Sequence, residues 1–343
     1  MLLNTDYVAP AELTGYVRAA AADQPVNRFV LRRWLPDRLI DDLQYRFRRG
    51  GEGLIEAAAF RAWDAESPIG ARVGVTRVTG DLPPISRKVR LGEYDRLVQR
   101  RAGTDAIRNE LLTDAERMAR AVAARMELAR GDALVNGSVT ITENGLVGLQ
   151  ADFGRAGGHS VTAAISWATA STDVLVDMLT WRDTYVATNG VEPGAMVFSR
   201  TVLGYLQRNT ALRTQSATVV GAPSIISEST LQALFQANGL PPYYLVDSRV
   251  NVSGVATRII PADVFLYLPE PTDDPDGTDL GATLWGTTAE ALDPRYELAD
   301  DEPGIVAGVY GTEDPIAMWT KAAGVGLPVL ANPNLSFKAD VVP

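Results

Sequence analysis

The chain has 343 residues, 46% hydrophobic and 22% charged, with no cysteine and one histidine, His159. That composition excludes a disordered chain, and no apolar run reaches the roughly 18 residues of a membrane span. The missing cysteines exclude disulfides, thiol nucleophiles, iron–sulfur clusters and thiolate zinc sites. A lone histidine excludes a multi-histidine metal site in one chain, and any Ser-His-Asp triad would have to use His159.

The net charge of −10 is unevenly spread. Residues 1–131 carry 22 Lys+Arg against 18 Asp+Glu, and residues 132–343 carry 10 against 24, so the two parts stand at +4 and −14. A mildly basic face on one part and an acidic face on the other follow from this split. Only Lys88, Lys321 and Lys338 are lysines. The length suggests two or three domains. Asp6, Pro10 and Glu12 stand where a signal peptide would be apolar, so no secretory leader is expected.

In chain order, residues 1–50 mix short apolar pieces with Pro10, Pro25 and Pro36 and predict an arm without a core of its own. The stretch 36–43 reads as one helical turn or an extended contact. Tyr45-Arg46-Phe47-Arg48-Arg49 alternates aromatic and basic residues, as in a half-exposed strand or an arm lying on another surface. Residues 69–91 predict a long hairpin. One strand carries Val73, Val75 and Val78, the turn is Gly80-Asp81-Leu82-Pro83-Pro84, and the second strand carries Ile85, Val89 and Leu91. Arg72, Arg77, Arg87, Lys88 and Arg90 make this ribbon basic. It has too few large apolar residues to own a core, and an isolated two-stranded hairpin is marginal in water. It is therefore expected to lie on another surface.

A helix over 104–130 follows, with Ile107, Leu111, Ala115, Met118, Val122, Met126 and Ala129 on one stripe and Gly131 as its terminator. Asn144-Gly145 predicts a hairpin around 139–147. Beyond it, helices are predicted at 172–188, after Ser199, and at 227–238. Strands are predicted at 195–198, 243–246, 250–257 and 264–268, and an acidic loop at 270–280. The tail, 316–341, reads as returning strands broken by Gly324, Gly326, Pro328 and Pro333.

No catalytic signature is present: Gly-x-Ser-x-Gly, Walker A, His-Glu-x-x-His and a strand–helix Gly-x-Gly-x-x-Gly are all missing. Asp273-Asp274-Pro275-Asp276-Gly277-Thr278-Asp279 looks like a calcium loop but lacks the closing glutamate and is interrupted by proline. His159 has no recognisable carboxylate or serine partner. The pairs Asp41-Asp42 and Asp300-Asp301 read as solvated loop charges.

Three stretches carry a family resemblance. They are Asp81-Leu-Pro-Pro-Ile-Ser-Arg-Lys-Val-Arg-Leu-Gly-Glu-Tyr-Asp-Arg-Leu97, Gly137-Ser-Val-Thr-Ile-Thr-Glu-Asn-Gly145 running to Asp152-Phe-Gly154, and Pro328-Val-Leu-Ala-Asn-Pro-Asn334. With the order of parts, they make the chain resemble the major capsid proteins of tailed phages, in the lambda-type E family. The resemblance implies an α+β Hong Kong 97-type fold. Its parts would be an N-terminal arm at 1–50, an E-loop at 51–92, a P domain at 93–164 with a spine helix at 104–130, an A domain at 165–310, and returning P-domain strands at 311–343.

The resemblance further implies self-assembly as hexamers and pentamers into an icosahedral head shell around double-stranded DNA. The virion is the implied location, after assembly in the bacterial host cytoplasm. A scaffold protein, a portal and a decoration protein are the implied partners, with no cofactor, no membrane and no enzymatic activity. No long scaffolding segment is evident at the N-terminus, so a separate scaffold is expected. Lys88 lies in the ribbon without a recognisable cross-link acceptor, so non-covalent closure is expected. Arg72, Arg77, Arg87, Lys88 and Arg90 are the expected inter-subunit contacts. An encapsulin-type compartment shell and an enzyme of unrecognised class are the alternatives.

Overall fold

The computed structural model describes residues 2–3, 5–22, 29–49, 76–99, 104–143, 146–217, 221, 223–298, 303–314 and 316–342. Two sheets organise the chain. The first has six strands: β1 (Leu2–Leu3), β2 (Asp37–Leu39), β5 (Pro84–Leu91), β14 (Gly281–Gly286), β15 (Val306–Glu313) and β16 (Ile316–Leu330). Its order is β1-β15-β16-β14-β2, and β5 pairs with β16. Along β16, β5 covers Met318 to Val325 and β14 covers Val325 to Leu330.

Two helices pack on this sheet, α1 (Pro10–Ala22) and the long α3 (Thr104–Asn136). At 1.5 Å per residue α3 is about 50 Å long. Its stripe buries Leu111, Ala115, Met118, Val122 and Met126 with Leu13 and Val17 of α1 and with Leu91, Ala307, Val309, Met318 and Ala322 of the sheet. The stripe is as predicted, but the helix runs past Gly131 to Asn136. A Cβ at residue 131 would stand 2.3 Å from the Ile259 carbonyl oxygen, so this glycine allows close packing. The terminator is Gly137, at φ 65°, whose N–H donates to the Ala133 carbonyl.

The second sheet is five-stranded, in the order β10-β9-β13-β17-β8. Its strands are β8 (Ser160–Thr162), β9 (Ala195–Phe198), β10 (Tyr243–Leu245), β13 (Val264–Leu268) and β17 (Phe337–Asp340). Around it lie α4 (Val174–Asn189), α5 (Arg200–Arg208), α6 (Thr210–Gln215) and α7 (Glu228–Ala237). Asp173, Ser199, Asn209 and Ser227 cap these helices with side-chain oxygens. Trp167, Trp181, Phe198, Phe265, Tyr267 and Phe337 form a contiguous aromatic core.

The remaining strands form two-stranded ribbons: β3 (Gln44–Arg49) with β4 (Thr76–Asp81), β6 (Ser138–Glu143) with β7 (Leu146–Asp152), and β11 (Arg249–Val252) with β12 (Val255–Arg258). The last short helix is α2 (Glu93–Gln99).

Several expectations change. The basic ribbon is not one hairpin over 69–91. β4 pairs with β3, and β5 leaves the ribbon to join the first sheet of its own chain. Alternation made β4 and β5 look like partners, but the turn residues Leu82 and Pro83 are buried and serve as a crossover. Residues 1–50 are not core-less. Leu13, Val17, Leu31, Trp34 and Leu35 are fully buried against elements more than 90 residues away, which local patterning cannot show. The stretch 36–43 is extended, with β2 parallel to β14.

Residues 250–257 are a hairpin turning at Ser253 and Gly254, both at positive φ, rather than one strand. In the tail, β16 runs unbroken for 15 residues through Gly324, Gly326 and Pro328, and the expected break at Pro333 separates it from β17. Cβ atoms at residues 324 and 326 would each meet Trp285 at 3.0 Å, so these glycines admit the indole.

The boundaries predicted from sequence also cut across the sheets. The break at 310/311 falls inside β15, and β14 belongs with β16 rather than with the neighbouring 165–268 segment. β8 and β17 belong to the second sheet. Deleting 84–91 should accordingly abolish folding, because it removes a strand from the first sheet and Leu91 from its core. Loss of the cooperative urea transition in that deletion variant is the expected measurement.

Candidate assembly surface

β5 exposes Arg87, Lys88 and Arg90, while Ile85 and Val89 pack against the core shared by α1, α3 and the first sheet. In register, Lys88 stands opposite Lys321 of β16. Like charges directly opposite across a ladder repel. Two contacts relieve this pair: Lys88 Nζ sits 4.7 Å from the Trp319 ring centroid, and Lys321 Nζ pairs with the Glu290 carboxylate. Trp319 in turn stacks on Tyr310, with centroids 6.4 Å apart. A surface cavity of about 640 Å³ opens beside them, lined by Leu3, Arg87, Lys88, Glu290, Tyr296 and Lys321 among others.

The wall of that cavity is fixed by a short turn. The Arg295 guanidinium bonds both oxygens of Asp293 and holds its carboxyl down at about 2. Burial, with Glu290 and Asp293 nearby, pushes the Tyr296 phenol up to about 12. Arg295 and Lys321 are therefore neutralised within the chain. Among the described residues, the side chains of Arg87 and Arg90 form no ion pair or hydrogen bond, and Lys88 has only its aromatic partner. The cavity thus presents uncompensated positive charge above an aromatic floor.

Of the five bases expected to act together, Arg72 lies outside the described residues. Arg77 is on β4, opposite Arg48 of β3. Arg87, Lys88 and Arg90 share β5. The structure therefore divides the four described bases between the ribbon and the first sheet. Sequence reasoning missed Trp319, Tyr310, Tyr296 and Glu290, which approach β5 only through non-local pairing. Their one advance signal is Lys321, conspicuous as one of three lysines.

The acidic loop after β13 is well defined. The Thr272 N–H donates to the Arg33 carbonyl at 2.7 Å, and the Asp274 carboxylate accepts from the Asp276 N–H at 3.0 Å. Asp273, Asp274, Asp276 and Asp279 are exposed, and Asp276 pairs with Arg38. Among the described residues, no group of three or more His, Asp or Glu is placed to hold a metal ion.

His159 is buried among Tyr185 and Phe337, and burial with Arg155 nearby lowers its pKa, while the Asn334 backbone opposes the shift. It is a core residue. Its neutral form supports stability above the ordinary value of 6.5, and that support is lost as pH falls toward the depressed folded value. Urea midpoints measured across this window should fall less steeply for His159→Phe than for the wild type.

Residues 10–341, nearly the whole chain, match the family model described as phage major capsid protein E. The chain belongs to that family. Among the solved structures that share its fold are two from bacterial genomes. A putative capsid protein of a prophage of E. coli CFT073 is 13% identical, with TM-score 0.65 over 98% of this chain and 99% of that one. A phage-related protein from Bordetella bronchiseptica RB50 is 14% identical, with TM-score 0.61 over 98% of each chain. No curated protein sequence matches. The capsid protein is thus a shell-forming subunit of the virion with the Hong Kong 97-type α+β fold, and the encapsulin alternative is the weaker one. Among the described residues, no helix of the capsid protein is long and apolar enough to cross a membrane.

Proposed function

We propose that the chain closes as hexamers and pentamers into an icosahedral head shell around double-stranded DNA. It is assembled in the host cytoplasm on a separate scaffold protein, with a portal and a decoration protein as further partners, and it performs no catalysis. The observation that carries this reading is the β3–β4 ribbon. Tyr45 and Leu82 anchor its base in the main core, but the described strands pair only with each other. A two-stranded ribbon of this kind is marginal in water, so a neighbouring subunit is the surface that completes it.

The parts of the family map onto the chain with altered limits. The first sheet with α1 and α3 serves as the P domain, the second sheet with α4 to α7 as the A domain, and the segment bounded by β3 and β4 as the E-loop. Arg77 of the ribbon and Arg87, Lys88 and Arg90 of β5 serve as inter-subunit contacts. Electron microscopy of the chain co-expressed with its scaffold should show closed shells tens of nanometres wide. A stable compact monomer in sedimentation would overturn the reading.

A further inference from the structure

On the shell reading, we infer that the cavity beside β5 receives the acidic loop 270–280 of a second copy of this chain, giving a head-to-tail contact between subunits. The two surfaces complement each other. The cavity offers Arg87 and Lys88, with Arg90 beside them on β5, and none of the three has an anionic partner among the described residues. The loop offers Asp273, Asp274 and Asp279, which are exposed and form no ion pair there, unlike Asp276.

Shape supports the charge argument. Pro271 and Pro275 stiffen the loop, and its internal hydrogen bonds already fix it, so docking orders little that was free. Of the aromatic residues that line the cavity, Tyr310 is likewise held in place, by stacking on Trp319.

The fold also forbids one chain from satisfying itself. Lys88 stands opposite Lys321, whereas Gly281, where the loop enters the sheet, stands opposite Leu330, nine residues further along β16. At about 3.3 Å per residue the two surfaces are roughly 30 Å apart on one rigid strand. A basic site at one end and an acidic site at the other make a heterologous contact, the type that closes into rings when the rotation per subunit allows it. Charge pairing here sets register and partner choice.

The test is a charge exchange. Arg87→Glu with Lys88→Glu, and separately Asp273→Lys with Asp279→Lys, are co-expressed with scaffold, and shells are counted by electron microscopy. The soluble subunits are checked for an unchanged urea midpoint, which these exposed positions permit. Each reversal should lower shell yield by about ten-fold or more. Combining all four changes in one chain should restore yield to near wild type.

Normal yield from either reversal would overturn the contact. If the basic reversal alone forms normal empty shells but fills poorly with DNA, the cavity faces the genome. If it forms shells that fail to bind a decoration protein, that protein is the occupant. Two damaging reversals without mutual rescue would also overturn the pairing. Wild-type chain that forms no shell at all strikes the shell reading itself, and this contact with it.

Discussion

Replacing Arg130 by methionine should destabilise the capsid protein by about 3–5 kcal/mol, the usual cost of orphaning one partner of a buried ion pair. Arg130 lies on α3 with its side chain almost wholly buried. Its guanidinium reaches Glu127 at 3.1 Å, Asp37 of β2 at 2.5 Å and the Thr283 hydroxyl of β14 at 2.8 Å. Glu127 is fully buried and also accepts the Leu31 N–H at 2.7 Å, while Asp37 accepts from Arg32 and from Trp285 Nε1. This network fastens the N-terminal segment to the long helix and the first sheet.

Removing Arg130 leaves Glu127 as a buried carboxylate whose pKa burial already raises. In the variant that pKa rises further above the ordinary value of 4.5. The penalty is then largest at neutral pH and shrinks as pH falls through the raised folded value toward the unfolded one. Urea midpoints at neutral and mildly acid pH should show this narrowing gap. Glu127→Leu added to Arg130→Met should recover much of the loss at neutral pH, since it removes the orphaned charge. A double variant no more stable than Arg130→Met would show that the cost lies in packing.

Trp167→Ala should cost a similar amount, about 3–5 kcal/mol, because it empties the centre of the second core. Trp167 is fully buried, stacks on Trp181 with centroids 5.4 Å apart, meets Phe265 edge-on at 5.7 Å, and donates its indole N–H to Asp177 at 2.9 Å. Both core clusters are needed for a chain whose total stability is of order 5–15 kcal/mol. The measurement is the urea midpoint, with near-UV circular dichroism reporting loss of the Trp167–Trp181 stack. Trp167→Phe keeps most of the ring volume and should retain more than half of the lost stability. Equal damage from both variants would point to the Asp177 hydrogen bond as the dominant contact.

These two sites show how far the sequence could be read. The apolar stripe of α3 was legible residue by residue, because a helix brings positions three and four apart to one face. So were α4, β9 and α7, whose limits are marked by caps at Asp173, Ser199 and Ser227. The stacking of Trp181 on Trp167 was not legible, because it joins a helix to a loop outside it. The Arg130 network was also invisible, since its members come from positions 31, 37, 127, 130 and 283.

Of the candidate surface, the bases of β5 were legible as a basic alternation, but their setting was not. Local pattern made β5 the second arm of a free hairpin, although its partner is a strand more than 200 residues away. Trp319, Tyr310 and Glu290 entered the site only through that pairing.

By itself, the sequence determined what short-range chemistry controls. It set the long helix and its buried face, the capped helices of the second half, the absence of thiol chemistry, the charge asymmetry, and the likeness to phage capsid proteins carried by three short stretches, which implied the α+β class. Tertiary structure alone decided which strands share a sheet, and so where the parts of the chain begin and end. It seated Leu13, Val17, Leu31, Trp34 and Leu35 in the core, split the four described bases between ribbon and sheet, and set the acidic loop and the basic cavity about 30 Å apart. The physical reason is that strand alternation specifies which face is buried, whereas the choice of partner depends on packing between residues that the sequence keeps far apart.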